Sequence, residues 1–304
     1  MERKKASLVS LVGIILLAAG WLIAQSRPVY PQGSSLYVNP QRVDISGYNG
    51  SAMEPFISLD GRFLFFNNDD DPRAPNKSIM FARRSGPLSF SYLGELPGVN
   101  LHVREKVEAA PSMDRQGRFY FTSTTSYERD RHTVMVGNFD GTRVTNVHIV
   151  EGDINRLQDG ELNMDMNISP DGNTLYVSKA RLGLMSLVTH APVGVELLIA
   201  RREGNRFNLD PYGAYIMKNV NAGLDYAPAI TDDGLELYFN HGPGKIMVAT
   251  RASTSEPFSI PQALDALGRG VVEGASISLD RRELFFHKSV DGTCCAIYRA
   301  VRSQ

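Results

Sequence analysis

The chain has 304 residues, which is enough for one large all-β domain or for two domains of ordinary size. Hydrophobic residues make up 42% of it and charged residues 21%, a composition that excludes an intrinsically disordered chain. Because 32 basic residues balance 33 acidic ones, for a formal net charge of −1, no global field favours nucleic acid as a partner.

The N-terminal segment differs in kind from the rest of the chain. A basic start is followed by a stretch from Ala6 to Ala24 that is apolar apart from two serines and two glycines. This pattern is typical of an export signal, and it is just long enough to anchor a chain in a membrane. We expect residues 1–24 to be a signal peptide or transmembrane anchor and residues 25–41 to be a linker. The remainder, 42–304, is then periplasmic or otherwise extracytoplasmic.

One phrase recurs five times from residue 54 onward. The first copy reads EPFISLDGRFLFF (54–66), and the later copies begin at residues 110, 165, 227 and 274. Each copy predicts a short strand, a tight turn and a second strand that is apolar at almost every position. Glycine accepts the positive φ of such a turn, and three copies have Asp-Gly there: Asp60-Gly61, Asp171-Gly172 and Asp233-Gly234.

The repeat length is that of a propeller blade. Equivalent positions lie roughly 50 to 60 residues apart, as expected for four strands per repeat: Asp60, Gln116, Asp171, Asp233 and Asp280. A third strand ending in a basic residue follows four of the five copies. Weaker fourth strands are predicted at 90–93, 144–150 and 215–218.

The fifth repeat has no room for a fourth strand before the chain ends at Gln304. An orphan strand at 42–46 precedes the first repeat, and we expect it to complete the last blade and so remove a free sheet edge. The sequence therefore predicts an all-β fold, a five-bladed β-propeller of four-stranded antiparallel blades closed by an N-terminal strand.

The phrase S-x-D-G-x-x-L-Y-F, followed by an I-x-x-A-x-R strand, resembles the WD-like propeller repeat of TolB-type proteins. The resemblance extends over residues 42–302. Scaffold proteins, peptidase propeller domains and sugar-acting lyases share this repeat, so it implies a fold more than an activity. It implies a binding or protein-interaction module in the cell envelope. We expect a monomer whose partner is an envelope protein or a glycan, with no nucleic acid and with membrane contact only through the N-terminal segment.

Strand order places the starts of the first strands on one face of the ring, together with the second-to-third-strand loops. We call this the candidate face, and the tight turns lie opposite. An acidic residue lies at or just before each first strand: Glu54, Glu108, Asp165, Asp225 and Glu273. Since first strands are innermost in a propeller, these acids are expected around the mouth of the central channel. There they bind Ca²⁺ or sugar hydroxyls or act as acid and base; alternatively they bond neighbouring amides or pair with the repeated arginines.

Two enzymatic alternatives follow from these residues. A carbohydrate-active enzyme like the glycoside hydrolases built on five-bladed propellers would use Glu54, Asp165 and Glu273, in roles that the sequence does not assign. A metal-dependent lyase or hydrolase would use His241 and His287, which follow the second strands of blades 4 and 5. These histidines lack the close spacing typical of metal ligands, and solvent-facing loop positions are the alternative. No cofactor is predicted beyond possible Ca²⁺.

Three loops on the candidate face have unusual compositions. The oxygen-rich run 67–71 suggests calcium but lacks the spacing of an EF-hand loop, and 127–132 is a mixed-charge patch. The apolar loop 179–195 is a candidate lid or partner contact, or it packs on its own blade. Separately, the adjacent Cys294 and Cys295 are expected to be two small apolar residues opening a strand, with a vicinal disulfide as the alternative.

Overall fold

The computed structural model describes residues 35–68, 76–104, 106–182, 192–242, 244–290 and 293–303. These residues form five sheets arranged as the blades of a propeller, which confirms the predicted all-β, five-bladed fold. The predicted signal or anchor segment lies outside them. In the part of the chain that is described, no helix has the length and apolar character needed to cross a membrane.

Two strands precede the first repeat, β1 (Tyr37–Arg42) and β2 (Asp44–Ser46). Blade 1 then contains β3 (Met53–Ile57), β4 (Phe63–Asn67), β5 (Ile79–Arg84) and β6 (Ser89–Glu95). Blade 2 contains β7 (Glu108–Met113), β8 (Arg118–Ser123), β9 (Val134–Phe139) and β10 (Val144–Ile149), with the one-turn helix α1 (Tyr127–Asp130) between β8 and β9.

Blade 3 contains β11 (Glu161–Ile168), β12 (Thr174–Arg181), β13 (Gly194–Glu203) and β14 (Arg206–Leu209). The predicted fourth strand at 215–218 is wrong, because β14 takes that edge and the chain then turns through α2 (Gly213–Ile216). Blade 4 contains β15 (Asp225–Ile230), β16 (Glu236–His241), β17 (Ile246–Thr250) and β18 (Gln262–Ala263). Short 3₁₀ turns occupy Asp153–Asn155 and Asp265–Leu267.

Blade 5 contains β19 (Val272–Ile277), β20 (Glu283–Val290) and β21 (Thr293–Arg302), and β1 completes it by pairing antiparallel with β21. The closing strand is therefore β1 and not the predicted 42–46, so residues 37–41 of the expected linker belong to the propeller. Strand β2 instead adds a fifth, parallel strand to blade 1 beside β6. The physical reason is Tyr37, which is fully buried and donates a hydrogen bond of 2.7 Å to the carbonyl of Arg281.

Polar side chains hold the tight turns on the face opposite the candidate face. In blade 1 the hydroxyl of Ser58 accepts a hydrogen bond from the backbone N–H of Phe63 and donates one to Asp60. Gly61 supplies the left-handed backbone, with φ +70°. The same bonds recur in blades 3, 4 and 5, and in the last turn Arg281 takes the left-handed position at φ 60°. These turns are structural.

The core lies in the seams between neighbouring blades. The second strands are buried on both faces, as their continuous apolar sequences predict. Aromatic rings meet across several of the seams; the rings of Phe65 in blade 1 and Phe119 in blade 2, for example, are 5.0 Å apart. Burial of one such ring contributes about 1.5–3 kcal/mol. A rigid ring of seams therefore positions the first strands around the channel.

The cysteine expectation needs correction. Cys295 is buried and disulfide-bonded, and no free cysteine occurs among the described residues. The expectation of two unbonded, small apolar residues at the start of β21 is therefore wrong.

Candidate functional site

The predicted acids lie at one end of the ring, on the candidate face. The strand registers place first-strand acids opposite the last residues of second strands: Glu108 opposite Ser123, Asp165 opposite Ser178, Asp225 opposite His241 and Glu273 opposite His287. Glu54 follows Met53, which pairs with Asn67 in the same way. The tight turns close the other ends of these strands.

The five acids do not share one position in the repeat. Glu54 and Asp165 both lie four residues before the serine that begins the tight turn, Ser58 or Ser169. Glu273 lies one residue earlier in its repeat, and the remaining two acids lie two residues earlier. This offset separates the acids into two groups with different surroundings.

Glu54, Asp165 and Glu273 come together, and we call these three the carboxylate cluster. The pKa of Asp165 is raised to about 7, mainly by burial and then by the charge of Glu54, with a smaller contribution from Glu273, while the ammonium of Lys77 opposes the rise. These interactions show that the three side chains, from blades 1, 3 and 5, lie within electrostatic range of one another. The cluster matches the set that the glycoside hydrolase alternative requires.

Lys77 neutralises part of the cluster. Its ammonium donates a hydrogen bond of 2.9 Å to Oε1 of Glu54, and both side chains are nearly buried, at 7% and 11% exposure. Lys77 lies just before β5 in the same blade. A buried pair of this kind holds Glu54 in place, and loss of either partner leaves an uncompensated charge.

Tyr226 and the backbone of Gly244 hold Glu273. The Tyr226 hydroxyl donates a hydrogen bond of 2.7 Å to Oε1 of Glu273, and the Gly244 N–H donates to the same oxygen at 3.2 Å. Burial raises the pKa of Tyr226 well above its ordinary value, and the charge of Glu273 adds to the rise. Tyr226 therefore stays a hydrogen-bond donor at every physiological pH.

His287 lies between two members of the cluster. Its Nδ1 accepts a hydrogen bond of 3.1 Å from the backbone N–H of Glu54, and its Nε2 lies 3.6 Å from Oε2 of Glu273. The side chain is 1% exposed. Because Nδ1 accepts a hydrogen bond from the backbone, a neutral ring carries its proton on Nε2.

Three buried polar atoms of this region have no hydrogen-bond partner among the described residues: Oε2 of Glu54, Oδ2 of Asp165 and Nε2 of His287. Buried polar atoms in folded proteins are almost always hydrogen-bonded to protein, solvent or ligand. Because these three unsatisfied atoms lie close together, the region can form further hydrogen bonds to a ligand or to solvent.

The other two acids serve their own blades. Oε1 of Glu108 accepts hydrogen bonds from the hydroxyls of Ser123 and Thr125, and burial raises the pKa of Glu108. Asp225 accepts the backbone N–H groups of residues 222 and 223 at 2.9 Å and contacts Nδ1 of His241 at 2.7 Å. For these two acids the structure matches the local hydrogen-bonding alternative.

The two histidines proposed as a pair have different partners. His241 contacts Asp225, whereas His287 contacts Glu54 and Glu273. Within the described ranges no group of three or more His, Cys, Asp or Glu side chains has the geometry of a metal site. The possible Ca²⁺ site stays a prediction, and residues 69–75 of the oxygen-rich loop lie outside the described part.

The described residues of the three loops with unusual composition make structural contacts and add no side chain to the carboxylate cluster. Asn67 at the start of the first loop is buried and bonds to the backbone of the next blade. In the second loop Tyr127 packs against Leu157 and Leu162. The apolar stretch proposed as a lid falls largely on residues 183–191, outside the described residues.

Sequence reasoning missed two residues of the site. Neither Lys77 nor Tyr226 was singled out from the sequence. The available signal for Tyr226 was its position directly after the predicted acid Asp225, where strand alternation turns it toward a different face. No sequence signal pairs Lys77 with Glu54, because 23 positions separate them and the intervening loop varies between repeats.

Comparison with known proteins supports the fold. Solved structures with the same architecture include an exo-β-1,3-galactanase from Phanerochaete chrysosporium, with a TM-score of 0.53 and 14% identity over 86% of this chain and 63% of that one. A family 117 glycoside hydrolase from Zobellia galactanivorans has a TM-score of 0.55 and 10% identity over 89% of this chain and 91% of that one. The chain thus spans less than two thirds of the galactanase structure.

TolB from Acinetobacter baumannii is a more distant structural neighbour, with a TM-score of 0.47 and 13% identity over 84% of this chain and 55% of that one. No protein-family model and no curated protein matches the sequence. The fold and the site thus define a five-bladed β-propeller with a cluster of carboxyl groups at one mouth of its channel. The WD-like naming of its repeat stays a prediction.

Proposed function

We propose that this protein is a carbohydrate-active enzyme that hydrolyses glycosidic bonds at the carboxylate cluster. The observation that carries the proposal is the grouping of Glu54, Asp165 and Glu273 from three blades, in surroundings that raise the pKa of Asp165 to about 7 and pair Glu54 with Lys77. Glycoside hydrolysis requires one carboxylic acid that donates a proton and one carboxylate that acts as base or nucleophile.

The surroundings assign a role to each carboxyl group. Asp165, with a pKa of about 7, keeps a proton near neutral pH and donates it to the leaving oxygen as the glycosidic C–O bond breaks. Glu54, ion-paired with Lys77, accepts the proton of the water that attacks the anomeric carbon. Glu273, held by Tyr226, orients a sugar hydroxyl.

The comparisons support this proposal only through the fold. The galactanase and the family 117 hydrolase, which match this chain with TM-scores of 0.53 and 0.55, are both glycoside-cleaving enzymes by their descriptions. Their identities to this chain, 14% and 10%, transfer no residue roles.

The test is an activity screen with matched variants. Purified protein is incubated with aryl glycosides and with oligosaccharides of several linkages, β-1,3-galactotriose among them, and released sugar is measured. Asp165→Asn, Glu54→Gln and Glu273→Gln should each lower turnover by about 10²–10⁴-fold. The exposed Glu151→Gln serves as the control and should leave turnover unchanged. Turnover that survives all three cluster substitutions would refute the assignment.

A second candidate function is the binding module that the TolB-like repeat implies. The observation in its favour is a group of exposed apolar side chains where blade 3 leads into blade 4: Leu209, Tyr212, Tyr215 and Ile260, exposed by 40–70%. A backbone hydrogen bond from Phe258 to Ile216 ties the segments that carry them. Its partner would be a protein of the cell envelope, reached after export through residues 1–24.

A photo-crosslinking residue in place of Tyr212 tests this second function in living cells. One defined crosslinked protein, lost when Ile260→Ser is added and retained with Glu151→Gln, would support docking at this surface. Crosslinking that is insensitive to Ile260→Ser would count against it.

A further inference from the structure

One kind of hydrogen bond recurs between neighbouring blades at the candidate face. Near the end of the second strand, a side chain accepts a hydrogen bond from a backbone N–H in the first strand of the next blade. The acceptor–donor pairs are Asn67–Ala110, Ser178–Ala227, Asn240–Gly274 and His287–Glu54, at 3.2, 3.0, 3.0 and 3.1 Å. All four donors have left-handed φ values of 47–69°.

His287 therefore occupies a place that an amide or a hydroxyl occupies in other blades. The equivalent residue of blade 2 is Ser123, whose hydroxyl turns to Glu108 instead. The His287 bond is also the one that crosses the closing seam of the ring, between blade 5 and blade 1. It fixes the backbone of Glu54 against the last blade.

The second nitrogen of the imidazole makes a contact that differs from those of its counterparts. The second polar groups of Asn67 and Asn240 donate to backbone carbonyls of the next blade, at 2.9 and 3.1 Å. The second nitrogen of His287 faces a side chain instead, with Nε2 3.6 Å from Oε2 of Glu273. Since Nδ1 is an acceptor, a neutral ring carries its proton on Nε2, which faces that carboxylate from just beyond hydrogen-bond distance.

The packing around His287 leaves it little freedom. A Cβ added to Gly274 would lie 2.9 Å from Nδ1 of His287 and 3.2 Å from Cα of Glu54. Glycine at this position lets the imidazole and the backbone of Glu54 approach each other. The ring is thus confined between the two carboxyl-bearing residues that it contacts.

We infer that His287 is a positioning residue for the carboxylate cluster. Its Nδ1 fixes the backbone of Glu54 and its Nε2–H directs Glu273, so that one imidazole sets the relative places of two of the three carboxyl groups. The inference rests on the proposed function only in treating the cluster as a reaction site. Its test is chosen to succeed or fail without any substrate.

The first measurement compares thermal unfolding of two variants. His287→Asn retains an acceptor for the Glu54 N–H, as Asn67 and Asn240 do in their own seams, whereas His287→Leu removes it. We expect the midpoint of His287→Leu to fall by about 3–8 °C and that of His287→Asn to stay within about 2 °C of the wild type. Ser178→Ala, which removes the same acceptor at the seam of blades 3 and 4, is the matched control and should also lower the midpoint.

The second measurement reads the proton on the ring. In ¹⁵N-histidine-labelled protein the NMR resonances of His287 should show an unprotonated Nδ1 and a protonated Nε2. Glu273→Gln should shift the Nε2 resonance, and Glu151→Gln should not. If His287 had a purely structural role, Glu273→Gln would leave the Nε2 resonance unchanged.

Either of two results would overturn the inference: a His287→Asn variant as unstable as His287→Leu, or a ring protonated on Nδ1. If the wild type hydrolyses glycosides, His287→Asn should in addition lower kcat by about tenfold or more with little change in KM. Absence of turnover in the wild type would count against the proposed function and would leave both measurements on His287 valid.

Discussion

Glu54 and Asp165 occupy the same position of the repeat, in blades 1 and 3, and the charge of Glu54 helps to keep the proton on Asp165. Burial is the larger cause of the raised pKa of Asp165, and Glu54 comes second. Lys77 pairs with Glu54 and not with Asp165. Two equivalent acids thereby have different electrostatic surroundings, which is the arrangement that acid–base chemistry needs.

Ionisation of Asp165 should make stability depend on pH. Its pKa is about 7 in the folded chain against an ordinary value of 3.8, so the folded chain holds this proton more tightly. The stabilisation is complete below about pH 4 and is lost as pH rises toward 7. Asp165→Asn removes the titration, and its stability relative to the wild type should increase between pH 4 and 8. Denaturant unfolding at several pH values measures this, and a constant difference would contradict it.

Lys77→Met should destabilise the protein and raise the pKa of Asp165 further. The substitution leaves Glu54 buried without its partner, which costs about 3–5 kcal/mol. It also removes the charge that opposes the rise at Asp165. The loss of stability should be larger at pH 8 than at pH 5, and adding Glu54→Gln should recover part of it. Lys245→Met, at an exposed lysine, is the control and should have little effect at either pH.

Gly274→Ala should destabilise the closing seam more than its backbone conformation explains. Gly274 has φ +69°, and an added Cβ would press on His287 at 2.9 Å. Gly204 has nearly the same conformation, φ +63°, but nothing within 4 Å of an added Cβ. Both alanines incur left-handed strain of about 1–2 kcal/mol, and only Gly274→Ala incurs the contact. Equal losses of stability in the two variants would show that the His287 side chain moves away from the added methyl group with no loss of folding free energy.

Tyr37 tests the closure of the ring by β1. Its side chain is fully buried, and its ring meets that of Tyr238 at 6.0 Å. Tyr37→Ala should cost about 3–5 kcal/mol. Tyr37→Phe, which loses only the hydrogen bond to the carbonyl of Arg281, should cost about 1 kcal/mol. A small effect of Tyr37→Ala in chemical denaturation would indicate that the ring is stable without its N-terminal strand.

The repeat made the fold predictable from sequence. Asp60 and Gly61 mark a turn by local chemistry alone, and the apolar run at 63–66 marks a strand buried on both faces. The closing strand was misplaced because its decisive residue, Tyr37, acts through contacts with blades 4 and 5 that are remote in sequence. The fourth strand of blade 3 was misplaced for a similar reason, since an outer edge strand carries a weak pattern.

The site was predictable only in outline. Strand order brought the five acids to one face, but an offset of one or two residues separates Glu273 and Glu108 from the position of Glu54. In a regular strand an offset of one residue turns a side chain to the other face and an offset of two returns it, so alternation alone does not explain why Glu273 joins the cluster and Glu108 does not. Which acids meet, and that Lys77 and Tyr226 join them, depends on blade-to-blade packing that no local pattern records.

The central claim is that Glu54, Asp165 and Glu273 form one electrostatically coupled site. The most direct test is a ¹³C NMR titration of aspartate-labelled protein, with the Asp165 resonance assigned through Asp165→Asn. The account predicts that Asp165 titrates with a midpoint of about 7 and that Glu54→Gln lowers this midpoint, because a repelling charge is removed. A midpoint near 3.8 in the wild type, or one that Glu54→Gln leaves unchanged, would contradict it.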